Sequence, residues 1–196
     1  VRVVPHPVAA PQPAPLGRGA FGLPEDAFVV LAAFNAESGI ERKNPRAAIR
    51  AFRQAFAGQG RALLVLKIGG TRPLPWLDRL LAEDGLGGAG IRVLRGDLPD
   101  PEMAALVAGA DVLLSLHRSE GFGLVLAEAM LLEVPVVATG WSGNLDFMPE
   151  DAAALVAHRQ VPVEDPEGIY GQGGTWAEPD IDHAASWLRR LAQDEG

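Results

Sequence analysis

The 196 residues predict an α/β fold, a parallel sheet with helices on both faces. Three observations carry this expectation. Short runs of Val, Leu and Ile that are apolar without alternation recur along the chain, as strands buried on both faces require. Stretches with apolar residues at helical spacing separate them. The two kinds of segment alternate at least five times, and parallel neighbours need such crossover connections.

The elements come in this order. Residues 1–24 read as an interdomain linker: Val1 to Val4 form one short candidate strand, and then Pro5, Pro7, Pro11, Pro13 and Pro15 leave no period. So much proline at the start of a domain implies that something precedes it. The domain itself is expected over 25–196. Its first strand is 27–34, an unbroken apolar run. A helix is expected next at 45–56, with Ala48, Ile49, Phe52 and Phe56 on one face, Asn44 as the expected N-cap and Pro45 in the first turn. A second buried strand is expected at 62–68, a helix at 74–83, a third strand at 91–94, and a helix at 101–108 capped by Asp100. Then come a fourth strand at 112–116, a helix at 124–132, a fifth strand at 134–138 and a sixth candidate at 153–157. A last helix, capped by Asp180, runs to about residue 192. The pattern is Rossmann-like, and ligands in such sheets bind beyond the carboxyl ends of the strands. The residues to inspect are therefore 35–43, 67–70, 95–98, 117–123 and 139–144.

Composition narrows the function. Apolar residues make up 48% of the chain and its net charge is -8, which points to a packed globule and away from nucleic acid. The lack of cysteine removes disulfides, Cys-ligated zinc and thiol nucleophiles, and fits a reducing cytoplasm, the expected location. No apolar run reaches the ~20 residues of a membrane span, and the prolines interrupt any signal peptide, so membrane contact is expected to be at most peripheral. Gly85, Gly87 and Gly90 have the dinucleotide-fingerprint spacing but come after a helix and before a strand, the wrong context. His6, His117, His158 and His183 have no metal-ligand spacing, and there is neither a phosphate-binding Walker motif nor a Ser-centred nucleophile elbow.

One segment carries chemistry. Ser119-Glu-Gly-Phe-Gly-Leu-Val-Leu-Ala-Glu128 leaves a buried strand and opens a helix. Gly121 and Gly123 let backbone approach a ligand closely, and the amides of Phe122, Gly123 and Leu124 lie at the positive helix end, where an anion is stabilised. Glu120 precedes the glycines. Glu128, inside the helix, tilts back toward the same mouth. Carboxylates accept bonds from hydroxyls, so two of them beside an amide cradle suit a ligand with hydroxyls at both ends and phosphates between, a nucleotide sugar. An isolated pair of glutamates is more often a loop residue and a solvated helix residue; the glycine context tips the balance.

The two glutamates, seven residues apart with Gly-Phe-Gly after the first, resemble the donor-site signature of glycosyltransferase family 4, whose members have the two-lobed GT-B architecture. The resemblance runs over nearly the whole chain: Val4-Pro5-His6-Pro7-Val8 is similar to the segment leading into the second lobe, residues 109–115 to the strand before the signature, and residues 132–139 to the stretch after it. It implies that this chain is the donor-binding lobe of a retaining enzyme, hexosyltransferase-like and of group 1, that uses no metal or cofactor. Glu120 would contact the donor sugar, and the amides of Gly121, Phe122, Gly123 and Leu124 the sugar and diphosphate. Glu128 would hold the ribose, Lys43 would neutralise the diphosphate, and the 95–98 loop would lie near the base. The donor would be a UDP- or GDP-sugar. A carbohydrate or glycolipid acceptor would be held by an N-terminal lobe absent from this chain, so the isolated lobe is expected to be inactive.

Two departures matter. The arginine that family members place after the first strand is missing from Phe34-Asn-Ala-Glu-Ser38, and Arg42 or Lys67 would have to replace it. The turn after the fifth strand is Trp141-Ser-Gly-Asn-Leu-Asp146, not Gly-Gly-x-Pro-Glu; Trp141 either stacks on a sugar or packs inside. Two other readings stay open: a non-catalytic nucleotide-sugar-binding or interaction domain of the same fold, and a sugar-nucleotide epimerase, for which His117 alone is placed as acid or base.

Overall fold

The computed structural model describes residues 6–57, 60–83, 90–151, 153–171 and 173–193. The candidate strand at Val1 to Val4 and the glycines Gly85 and Gly87 lie outside them.

Six strands form one parallel sheet: β1 (Phe28–Asn35), β2 (Ala62–Gly69), β3 (Ile91–Arg95), β4 (Val112–Ser115), β5 (Val136–Thr139) and β6 (Ala154–Val156). Their order is β3-β2-β1-β4-β5-β6. The unbroken apolar runs are explained by helices on both faces. Val30, Ala32 and Phe34 of β1 join one core under α2 (Pro45–Phe56), α3 (Pro75–Glu83) and α6 (Ile181–Leu191). Val29 and Leu31 join the opposite core under α4 (Asp100–Ala108) and α5 (Leu124–Leu131). The strand period of two thus feeds both layers. All the strands and helices expected over 27–192 are present, with ends shifted by a residue or two. The chain steps outward from β1 to β3 and then returns to place β4 beside β1, so the switch point lies between the carboxyl ends of β1 and β4.

Several local expectations are corrected. Asn44 does not cap α2 with its side chain. It sits in the left-handed region (φ 50) and ends a short helix, α1 (Ile40–Lys43), which the sequence reading missed. Asn tolerates that conformation better than most side chains, so one residue separates two helices. Asp100 is not a cap either; Pro99 holds that position and its carbonyl accepts from the amides of Glu102 and Met103. Asp180 does cap α6, accepting from the His183 amide at 3.0 Å. An antiparallel hairpin, β7 (His158–Pro162) and β8 (Thr175–Pro179), was not anticipated.

Part of the expected linker is docked on the domain. A 3-10 turn at Arg18–Phe21 leads to Leu23, which is buried in the core under α4 and α5. Arg18 donates to Gly109 O (2.8 Å), Ala27 O (2.9 Å) and Asp111 Oδ2 (2.8 Å). Among the described residues no helix is long and apolar enough to cross a membrane.

Candidate functional site

A cleft of about 840 Å³ opens along the carboxyl edge of the sheet, centred on the switch point. Every site residue expected from the sequence lines it: Arg42 and Lys43 from α1 after β1, Lys67 from β2, Glu120 to Gly123 from the loop after β4, and Leu124 and Glu128 from α5. Parallel topology explains the convergence, because each strand delivers its following loop to the same edge.

Glu120 is the electrostatic centre. Its carboxylate pairs with Lys43 Nζ and, at 3.2 Å, with an Arg42 guanidinium nitrogen. Burial favours the neutral acid, but the charge and hydrogen bond of Lys43 and then the charge of Arg42 outweigh it, holding the carboxyl below its ordinary range. Arg42 is engaged on every side: it donates to Tyr170 Oη (2.6 Å), Ser119 O (2.8 Å) and Ser38 O (3.3 Å). It braces the site from within. Lys43, which has only Glu120 as a side-chain partner among the described residues, is the cation better able to turn toward a ligand.

The helix start is built as an anion cradle. Gly123 precedes α5 at φ 94, a conformation only glycine adopts readily, and offers no side-chain cap. The amides of Leu126 and Ala127 bond to Gly123 O; those of Leu124 and Val125 meet no acceptor among the described residues and face the positive end of the helix. A Cβ at Gly121 would meet open space, the cleft itself. On α5, Glu128 is pushed above the usual carboxylate range, first by burial and then by the nearby Asp100.

Lys67 does not extend into solvent. It is 5% exposed, donates to Gly96 O, and is lowered from its ordinary pKa by burial, with Asp97 opposing.

Sequence reasoning missed the residues that hold the signature loop. Ser142 sits at φ 76 and ψ -148, a region costly for a side chain by about 1–3 kcal/mol. In return its hydroxyl accepts from the Glu120 amide (2.7 Å) and donates to Trp141 O (2.5 Å). The Gly143 amide donates to Glu120 O at 3.1 Å. The turn after β5 was flagged by the strand-end rule, but for the sugar pocket rather than as a brace. Tyr170 lines the cleft from the β7–β8 loop, where no sequence signal pointed. Arg118 secures that hairpin: it pairs with Glu178 (2.7 Å) and Glu41 (2.9 Å), and its amide donates to Arg42 O.

Two proposed roles do not survive the geometry. Trp141 packs against His158, with ring centroids 5.2 Å apart, and does not line the cleft. His117 is fully buried. Its Nε2 faces Asn144 Oδ1 (3.2 Å) and Trp141 O (3.3 Å). Asn144 Nδ2 donates to Thr139 O, so Oδ1 is the acceptor, His117 Nε2 carries the proton, and Nδ1 accepts from the Ser115 hydroxyl. Burial pushes this histidine below its ordinary value despite the charge of Glu120. It is a structural bridge outside the cleft, and the epimerase reading loses its acid or base. Among the described residues no group of three or more His, Asp or Glu could hold a metal ion.

The chain matches the family model described as "Glycosyl transferases group 1" over residues 27–171. No curated protein matches it in sequence. Among solved structures it is similar to WaaG, a glycosyltransferase involved in lipopolysaccharide biosynthesis, with 22% identity and a TM-score of 0.64 over 90% of this chain and 41% of that one. It is similar to the α,α-trehalose 6-phosphate synthase of Burkholderia multivorans, with 17% identity and a TM-score of 0.64 over 90% and 37%. It is also similar to Anabaena Alr3699/HepE, solved with UDP and glucose, with 19% identity and a TM-score of 0.64 over 90% and 41%. The chain spans about two fifths of the length of these structures. At such identities the likeness shows the fold: one Rossmann-like lobe of a GT-B glycosyltransferase.

Proposed function

The chain belongs to the group 1 glycosyl transferases, and from that premise we propose that it is the donor-binding lobe of a retaining family 4 enzyme. One observation carries the reading. Two carboxylates, a cation and two open helix amides line a single cleft at the switch point, the chemistry a nucleotide sugar needs. The diphosphate lies against the Leu124 and Val125 amides. Lys43 turns from Glu120 to the phosphates, Glu120 accepts from sugar hydroxyls, and Glu128 accepts from the ribose. Arg42, held by Tyr170 and Ser119, keeps a positive charge beside Glu120 after Lys43 leaves, and so fills part of the role of the missing arginine.

Catalysis in this reading is electrostatic. Fixed amide dipoles and Lys43 stabilise charge developing on the departing diphosphate, and preorganised donors of this kind contribute about 3–4 kcal/mol each. No cofactor is needed beyond the donor. The acceptor, a carbohydrate or glycolipid, is met by a second lobe, and the reaction takes place in the cytoplasm with at most peripheral membrane contact.

The test is calorimetry with nucleoside diphosphates and a transfer assay on the two-lobed protein. Lys43→Ala is expected to weaken diphosphate binding by about tenfold or more and to abolish most transfer with folding intact. Nucleotide binding by the wild-type two-lobed protein without detectable transfer favours the non-catalytic reading, which the missing arginine motivates, and unchanged transfer after Lys43→Ala or Glu120→Ala removes those residues from the catalytic machinery.

A further inference from the structure

The β3 end of the cleft has a chemistry of its own. β3 stands three strand positions from β4 in the sheet, about 14 Å along the carboxyl edge, at the opposite end from Glu120. There the cleft is lined by Leu98 and Met103, both half-buried, with Lys67, Gly69 and Asp97 around them. Glu128 also lies on this side: together with Met103 it lines both this cleft and the adjoining pocket that holds Asp100, at the start of α4. A nucleoside whose ribose meets Glu128 would then have its base near Leu98 and Met103, two half-buried apolar side chains in the same cleft as Lys67 and Asp97.

Each of those charged groups has one backbone partner. Asp97 Oδ1 accepts from the Gly70 amide at 3.0 Å, and a Cβ on Gly69 would stand 2.9 Å from that oxygen, so backbone pins the carboxylate. Among the described residues nothing donates to Oδ2. Lys67 is buried and spends one of its three N–H groups on Gly96 O, leaving two for whatever fills the cleft. The buried Lys67 ammonium and the exposed Asp97 carboxylate, both lining this end of the cleft, together match a ligand edge that supplies one acceptor next to two donors.

We infer that this end of the cleft selects guanine, so that the donor is a GDP-sugar; the inference rests on the reading of the cleft as the donor site. Guanine presents O6 to Lys67, and N1–H with its 2-amino group to Asp97, a bidentate charge-assisted contact. Uracil offers a single N–H between two carbonyl oxygens, so a carboxylate accepting from it meets a repelling oxygen. Adenine offers one amino group beside an acceptor nitrogen. A bidentate base contact discriminates by about tenfold to a hundredfold.

The experiment is calorimetry of this chain with GDP, UDP, ADP and xanthosine diphosphate, on the wild type and on Asp97→Asn. In the wild type GDP is expected to bind at least about tenfold tighter than UDP or ADP. Asp97→Asn keeps an oxygen for the Gly70 amide but offers an amide N–H where the free carboxylate oxygen stood. It should lose affinity for GDP and prefer xanthosine diphosphate, which carries an oxygen in place of the 2-amino group. A general structural role for Asp97 would weaken all four ligands alike and so overturns the inference. UDP binding as tightly as GDP in the wild type also overturns it, while leaving the donor-site reading intact. Failure of every nucleotide to bind at millimolar concentration overturns both. The wild-type ranking decides alone if the variant does not fold.

Discussion

Gly143→Ala tests how the signature loop is held. Gly143 lies in the turn after β5, its amide bonded to Glu120 O. A Cβ there would stand 2.0 Å from Gly121 O, 2.6 Å from Gly121 C and 3.0 Å from the Phe122 nitrogen. All three neighbours are backbone, so no side chain can swing aside. Ordinary contact begins near 3.4 Å, so the Gly121 carbonyl must retreat by roughly 1.4 Å, since close-packed interiors have no slack to share. That movement drags Glu120 from Lys43 and tilts the peptides leading into α5. Overpacking of this kind costs about 1–3 kcal/mol, which lowers Tm by about 2–4 °C for each kcal/mol in a chain of this size. A misplacement near 1 Å at a reacting centre costs about a hundredfold in rate, so nucleotide affinity and transfer should suffer more than folding does. Thermal melting followed by circular dichroism, with calorimetry of nucleoside diphosphate binding, measures both. An alanine variant that melts with the wild type and binds within twofold of it would refute the claim that the β5 turn braces the loop.

Two further outcomes concern the charged groups. Glu128 holds its proton more tightly in the fold than when unfolded, so its contribution is favourable at low pH and turns against the fold as pH rises through its titration. Glu128→Gln should therefore raise the ligand-free melting temperature at pH 7 while weakening nucleotide binding; a lower melting temperature would count against this sign. His117 is the opposite case: burial lowers it from 6.5, so its stabilising effect is present above that pH and is lost as pH falls below it toward the folded value. Melting temperature should drop more steeply below pH 6.5 in the wild type than in His117→Gln, and parallel profiles would remove His117 as the group responsible.

Much of the candidate site was legible because it is local. Gly121-Phe122-Gly123 and Glu128 are fixed relative to one another by one strand-helix junction, and helical geometry alone turns Glu128 back to the mouth. Lys43 was named by the family resemblance, and it stands in a stretch that the rule of loops after parallel strands meeting at one edge had marked for inspection. The fates of Arg42 and Lys67 were not legible, since both were candidate replacements for one missing arginine. Arg42 is braced by Tyr170, 128 positions away in sequence. Lys67 faces Gly96 and Asp97 at the far end, a difference set by strand order rather than by residue type.

By itself, then, the sequence determined the alternation, the two-faced burial and the carboxylate-glycine motif, because these depend on periodicity and on contacts within about ten residues. Only the tertiary structure decided which of several cations meets Glu120, that Ser142 and Gly143 clamp its backbone, and that His117 is sealed away. Those outcomes depend on which strands become neighbours, and a chain that could bury its apolar runs in several orders carries no local mark of the order it adopts.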